Sequence, residues 1–307
     1  MKKNFLLAMA LATLCSCSGN SDKEDVENKE MSELIEKVKN SNGSMALITI
    51  DGENNKTRGM IAPVSYSSTA TISFAFENNE NIAVYSEGAS MTNYYTMGSG
   101  TSAPIKSSGF RLKDNAGYYA FYPYNPDATD KTSVPFDVSH QVMDASNSTA
   151  NLASYYYMCS EQTVASNGYV FFMLKPIVGF IYARLRIQNF QGNKITKIRM
   201  FDMQNPLVVS GTIDLTVENY SYSTTLSKIT PSTENTIEIS MGNSGEGVIP
   251  ETSSVYKQIY VIAAIPMGNN IQQLNITAYD DMGNIYSGNA TTRNTITGTV
   301  NMNVILQ

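Results

Sequence analysis

Val170-Phe-Phe-Met-Leu-Lys-Pro-Ile-Val-Gly-Phe-Ile-Tyr-Ala-Arg-Leu-Arg-Ile187 is the stretch on which the fold turns. Val170–Leu174 is a short apolar run closed by Lys175-Pro176, and Phe180–Ile187 alternates over several residues, the pattern of a strand with one buried face. The same pattern recurs on both sides. Upstream lie Met45–Ile50, closed by the turn-prone Asp51-Gly52, then Ala70–Phe76, Asn81–Tyr85 and the aromatic Gly117-Tyr-Tyr-Ala-Phe-Tyr-Pro-Tyr124, which stops at Pro123 and Pro126. Downstream lie Lys197–Phe201, Gly211–Val217, Thr236–Met241, Gln258–Ile265, Gln273–Tyr279 and Thr299–Leu306. Asp281-Met-Gly283-Asn284 reads as a hairpin turn between Leu274–Tyr279 and Ile285–Ser287. Short strands punctuated by Gly, Asn, Ser and Pro define an all-β chain of the sandwich kind. Beyond residue 40 no sustained helical periodicity and no short repeat is visible. The polar stretch Glu161–Asn167 separates two strand-rich halves, so the expected domains are 44–162 and 163–307.

The N-terminus carries a different signal. Lys2 and Lys3 precede the apolar Phe5–Leu14, which has the length of a signal-peptide core and is too short to span a bilayer. It runs into Leu14-Cys15-Ser16-Cys17, which resembles a bacterial lipobox with Cys17 as the lipidated residue. Residues 1–16 are therefore expected to be a lipoprotein signal peptide. Acyl chains on Cys17 would hold the chain on a membrane, at about 0.8 kcal/mol per buried methylene. Residues 17–43 are expected to form an acidic tether, with Asp22, Glu24, Asp25, Glu27 and Glu30 and few apolar side chains. Met31–Lys39 is the exception, a short helix with Leu34, Ile35 and Val38 on one face.

Composition narrows the function. The net charge is −6 and Lys and Arg are not clustered, which argues against nucleic acid as a partner. Beyond the signal peptide and Cys17, Cys159 is the remaining cysteine, so no disulfide framework is expected and Cys159 reads as a small buried hydrophobe. His140, the single histidine, cannot by itself build a Ser–His–Asp triad or a histidine zinc site. There is no Gly-x-Ser-x-Gly elbow, phosphate loop or dinucleotide fingerprint. No catalytic residue, cofactor or metal site is expected. The adjacent acids Asp280 and Asp281 read as turn residues and Glu24 and Asp25 as tether; Asp127 and Asp130 lack the spacing of a calcium loop. Tyr94-Tyr95, Tyr118-Tyr119, Tyr122, Tyr124 and Tyr155-Tyr156-Tyr157 fit half-buried strand positions better than sugar-stacking platforms.

Four stretches together resemble the fimbrillin family, lipoprotein pilus subunits of gut and oral anaerobes. They are the lipobox Leu14–Cys17, the strand end Gly117–Asn125, the segment Leu152-Ala-Ser-Tyr-Tyr-Tyr157 with Val170–Ile187, and the late strand Tyr260–Pro266. The chain departs from the family in having Lys175-Pro176 where a histidine is usual. The acidic run after Cys17 is similar to the surface-export signal of such lipoproteins. The resemblance implies two transthyretin-like β-sandwich domains in tandem, a place on the outer membrane and later in a fimbrium, and assembly with other pilus subunits by strand exchange. An Arg-specific protease would cut after Arg58, before Gly59, in Glu53-Asn-Asn-Lys-Thr-Arg58-Gly59. The cut would release a first strand made of Met45, Ala46, Leu47, Ile48, Thr49 and Ile50. The vacated groove would take the C-terminal strand of another subunit, with Val300, Met302, Val304 and Leu306 alternating along it. The alternative reading is a monomeric surface lipoprotein that binds glycans or a host receptor through its Tyr-rich loops, and a weaker third is a glycoside-acting enzyme.

Overall fold

A computed structural model of the 307-residue chain describes residues 32–41, 45–50, 74–87, 89–149, 151–219, 221–252 and 256–307. Cys17, Arg58, Gly59 and the first part of the strand expected over 70–76 lie outside the described residues. The described residues form an all-β protein, 51 % of them in strands and 9 % in helices. A helix over 32–39 precedes the first strand, as its apolar face predicts.

The first strands are β1 (Met45–Ile50), β2 (Asn81–Ser86), β3 (Ala89–Thr96), β4 (Ser102–Lys106), β5 (Gly117–Tyr122), β6 (Val134–Asp137) and β7 (His140–Met143). Next come β8 (Met158–Cys159), β9 (Thr163–Val164), β10 (Phe171–Pro176), β11 (Val178–Ile187), β12 (Ile195–Asp202), β13 (Ser210–Ile213) and β14 (Ile229–Pro231). The last are β15 (Ile237–Met241), β16 (Glu251–Thr252), β17 (Lys257–Pro266), β18 (Asn270–Asp280), β19 (Ile285–Thr295) and β20 (Thr299–Leu306).

In the first half the sheet runs β2-β3-β4-β1-β10-β8-β5, and β5 pairs back onto β2, so it closes in a barrel-like ring. β9 shares with β8 the second edge of β5. The expectation here was a transthyretin-like β-sandwich. The closure follows from β5, Gly-Tyr-Tyr-Ala-Phe-Tyr, which is buried along its whole length. A strand buried end to end needs a backbone partner on each edge, and β2 supplies the one that β8 and β9 leave open.

The second half is built on β11 and β17, paired antiparallel over their full lengths from Val178↔Pro266 to Ile187↔Lys257. They form the sheet β16-β17-β11-β20, which shares a core with the sheet β19-β18-β12-β15-β7. Backbone bonds between Ser287 and Gln307 (3.0 and 3.1 Å) join the two sheets where β19 meets the end of β20. A third, three-stranded sheet runs β14-β13-β6.

The halves are interlocked. Between β5 and β8 the chain leaves the barrel and lends β6 to β13 and β7 to β15 before it returns. Gln141 of β7, 2 % exposed, anchors this excursion. Its Nε2 donates to the carbonyls of Val138 (2.7 Å) and Ala264 (2.8 Å), and its Oε1 accepts from the Ala264 amide (2.8 Å). One side-chain amide thus completes the edge of β17 as a residue of a strand would. Tyr156 is a second tie, stacked between Phe74 (5.1 Å) and Phe180 (5.6 Å). Gln141→Ala leaves the buried amide and carbonyl of Ala264 without their partner. The expected cost is about 3 kcal/mol, read as a lower urea midpoint with unchanged slope.

Candidate functional site

Met45-Ala-Leu-Ile-Thr-Ile50 is apolar at every position but Thr49, so a strand here has two faces to bury. The structure buries both. Ala46, Ile48 and Ile50 point into the main core, whereas Met45 and Leu47 join Val38 in a separate cluster with Leu34, Ile35, Tyr169 and Phe171 packed against it. The helix over 32–39 is therefore the lid on the outer face of β1. It is tied down where Ser41 Oγ donates to the Val38 carbonyl (2.6 Å) and accepts from the Met45 amide (3.1 Å).

Both edges of β1 are also occupied. It runs antiparallel to β4, from Met45↔Lys106 to Thr49↔Ser102, and parallel to β10, from Leu47↔Phe171 to Ile50↔Leu174. The helix and β1 are contiguous in sequence, and the chain continues from Ile50 toward Arg58. The signal for the lid was already in the sequence: an apolar helix face sits directly before a strand that is apolar on both sides.

β20 is a different kind of strand. It lies parallel to β11, from Phe180↔Thr299 to Ile187↔Leu306, at the end of its sheet. Met302, Val304 and Leu306 are buried, while Asn303 and Ile305 between them are exposed. It is amphipathic and has no lid. Two glycines let it approach closely. A Cβ on Gly179 would stand 2.3 Å from the Gly298 carbonyl, and one on Gly288 would stand 2.2 Å from that of Ile305. The seat is incompletely satisfied, because the buried oxygens Thr292 Oγ1 on β19 and Asn301 Oδ1 on β20 have no hydrogen-bond partner. Such orphans cost about 1–3 kcal/mol each.

Several other strand edges are blocked. Tyr155 Oη accepts the Val142 amide on β7 (3.1 Å), and Tyr157 Oη holds the amide and carbonyl of Asp137 on β6 (3.3 Å each). Pro135 on β6 and Pro231 on β14 have no N–H to offer. The tyrosine-rich segments thus serve the fold. Tyr94, Tyr118, Tyr119, Tyr122 and Tyr156 are buried, and their neighbours are half-buried.

The remaining candidates have structural explanations. His140 is exposed at the start of β7. Ser139 Oγ stands between Asp137 Oδ1 (2.6 Å) and His140 Nδ1 (2.9 Å), an order that puts the hydroxyl, not the imidazole, in the middle. Cys159 is fully buried in β8. Asp130 Oδ1 accepts the amide and hydroxyl of Thr132 (2.8 Å each). Asp280 closes the β18–β19 hairpin by accepting from the Met282 amide, the Asn284 amide and side chain, and Asn193 (2.7–3.0 Å). Burial alone would raise its pKa, but these donors outweigh burial and hold it down at about 2. Asp281 Oδ1 takes the Lys194 amide (3.2 Å).

No family model and no curated protein matches the chain. Solved structures do. A candidate cell adhesion protein of Bacteroides ovatus is similar with a TM-score of 0.49 and 14 % identity, over 85 % of this chain and 91 % of that one. Another from Bacteroides uniformis gives 0.46 and 12 %, over 76 % and 91 %. The fimbrial anchor protein Mfa2 of Porphyromonas gingivalis gives 0.33 and 8 %, over 81 % and 82 %. These neighbours are adhesion and fimbrial proteins, the kind of protein that the sequence resembles.

The Asp280 carboxylate contributes stability that is fully present above its ordinary pKa of 3.8 and is lost as pH falls toward the folded value of about 2. Asp280→Asn is expected to cost about 2 kcal/mol at neutral pH. In chemical denaturation its deficit against wild type shrinks between pH 4 and pH 2, about the window set by the two pKa values.

Proposed function

We propose that this chain is a structural or adhesive subunit of a surface fimbria, not an enzyme. It is exported as a lipoprotein through Cys17 to the cell outer membrane and assembled with other pilus subunits by β-strand exchange. One observation carries this reading. β1 has a partner on each edge and a buried face on each side, and its lid is the helix that immediately precedes it. One cut at Arg58–Gly59 would release strand and lid together. It would leave two bare hydrogen-bonding edges, on β4 and β10, around an apolar slot.

β20 is suited to fill such a slot. Its inward Met302, Val304 and Leu306 match Ala46, Ile48 and Ile50 in number and spacing, and it already pairs parallel with β11 as β1 does with β10. Its outward residues are partly polar, so in the slot it would need no lid. The blocked edges of β6, β7 and β14 favour one place of addition over edge-to-edge aggregation. We keep as part of the proposal two tandem transthyretin-like units divided at 162/163, although β10, beyond that division, lies in the first sheet.

The test uses the mature chain with Cys17→Ser, treated briefly with trypsin and run on a gel without boiling. A ladder of detergent-resistant multimers whose subunits begin at Gly59 is expected, and Arg58→Ala should abolish it. A trimmed, stable monomer sinks the strand-exchange reading and leaves a monomeric surface binder.

A further inference from the structure

Ser166-Asn-Gly-Tyr169 is a two-residue turn just before β10. Ser166 and Tyr169 pair across it, amide to carbonyl, at 3.1 and 3.3 Å, and Asn167 and Gly168 both take positive φ, 53° and 76°. Asn-Gly suits such a turn, because both central residues must be left-handed. Turn chemistry does not account for what surrounds it. The bonds that close the turn leave the Gly168 amide outside, and it donates to Asp114 Oδ1 at 2.6 Å. That is closer than the ~2.7 Å lower end of ordinary N–H···O bonds. Asp114 sits in a second turn, docked on the first by backbone bonds: the Asn115 amide donates to the Ala165 carbonyl, and the Ala165 amide to the Ala116 carbonyl (2.9 Å each). The Asn167 side chain is exposed, and its amide has no hydrogen-bond partner among the described residues.

Five other described asparagines take positive φ: Asn79, Asn115, Asn147, Asn189 and Asn219. Each is followed by a residue with a side chain, whose Cβ shields the next backbone nitrogen. Gly168 has no Cβ. Among the described asparagines of this conformation, Asn167 alone combines a bare neighbouring nitrogen, a carboxylate on that nitrogen's proton and an unheld carboxamide.

We propose that Asn167 is a site of self-catalysed deamidation, with Asp114 as the general base. Gly168 N attacks Asn167 Cγ while Asp114 Oδ1 takes the amide proton, so an N–Cγ bond forms. The Cγ–Nδ2 bond then breaks, and Nδ2 leaves as ammonia with that proton. Water opens the resulting succinimide. Attack at Cγ gives aspartate, and attack at the main-chain carbonyl carbon gives isoaspartate. One water is taken up, one ammonia is released, and nothing is oxidised. Nucleophile and electrophile are covalent neighbours, and the base is already in place. Isoaspartate carries an extra methylene in the main chain, so a two-residue turn no longer closes. The next residue is Tyr169, which packs against the lid cluster with Lys39 5.8 Å above its ring. The product therefore marks aged molecules at the floor of the lid. The inference goes beyond the assembly reading and needs neither lipid, cut nor partner.

The experiment incubates the uncleaved Cys17→Ser chain at physiological temperature and pH, folded and, in parallel, unfolded in guanidinium chloride. The Asn167 peptide is followed by mass spectrometry, with aspartate and isoaspartate separated by chromatography. Conversion at Asn167 is expected to be at least as fast in the folded chain as in the unfolded one. Asp114→Asn should slow the folded reaction by about tenfold or more and leave the unfolded one unchanged. The folded-to-unfolded comparison needs no variant, so it decides the matter even where Asp114→Asn fails to fold. The proposal is overturned by a folded chain that keeps its Asn167 amide while the unfolded chain loses it, or by a folded Asp114→Asn chain that reacts as fast as wild type or faster. No cleavage or multimer enters the assay, so its failure leaves strand exchange standing, and the reverse holds.

Discussion

The backbone of Phe171–Ile187 carries a row of amides and carbonyls on each of its edges, and burial forbids leaving them to water. Satisfying those rows organises the molecule. β10 takes β1 on one side and β8 on the other; β11 takes β17 and β20. The chain is interrupted between them at Ile177 alone, so two sheets of different design hang on one continuous run. The barrel-like ring and the second half are bound together by this run before any side chain is considered. Gln141 and Tyr156 add side-chain ties across the same junction.

The two strands that flank this run in parallel, β1 and β20, are opposites in chemistry. β1 is apolar on both faces and depends on a helix that precedes it. β20 alternates and stands without a lid, in a seat that leaves Thr292 and Asn301 oxygens unanswered. The two unanswered oxygens are in line with the proposed exchange, in which the strand takes another partner.

How much of this the sequence disclosed depended on where the apolar residues fell. β1, β11, β17 and β20 were legible because their alternation or apolar runs are long and undiluted, and β20 was placed at its observed bounds, Thr299–Leu306. β3 was missed because Thr92, Asn93 and Thr96 dilute its pattern, although Tyr94 is wholly buried. β6 and β7 were missed for another reason. They are four residues each, one holds a proline, and both earn their place by pairing with strands distant in sequence. That is a tertiary effect with no local signature. The closure of the first sheet was illegible for the same cause, since β2 and β5 meet across a long separation. At the candidate site the slot-forming strand was legible, and the reciprocal lid was visible as a short helix whose purpose emerged with the fold. The tyrosine hydroxyls that block β6 and β7 had no sequence signal, because a phenol's partner is set by geometry alone.

The continuity of β10 and β11 has a mechanical side. In a filament joined by strand exchange, one subunit grips its neighbour through the slot on β10, and it is gripped in turn through the strand that leaves β11. Tension would then enter through β19, to which β20 is joined, cross the core that the two sheets of the second half share, and reach β10 from β11 through Ile177. A strand held parallel along such a run is loaded in shear, with its hydrogen bonds resisting together and not parting one after another. The packed core between β18–β19 and β11–β17 would then be the part of the subunit that bears the load.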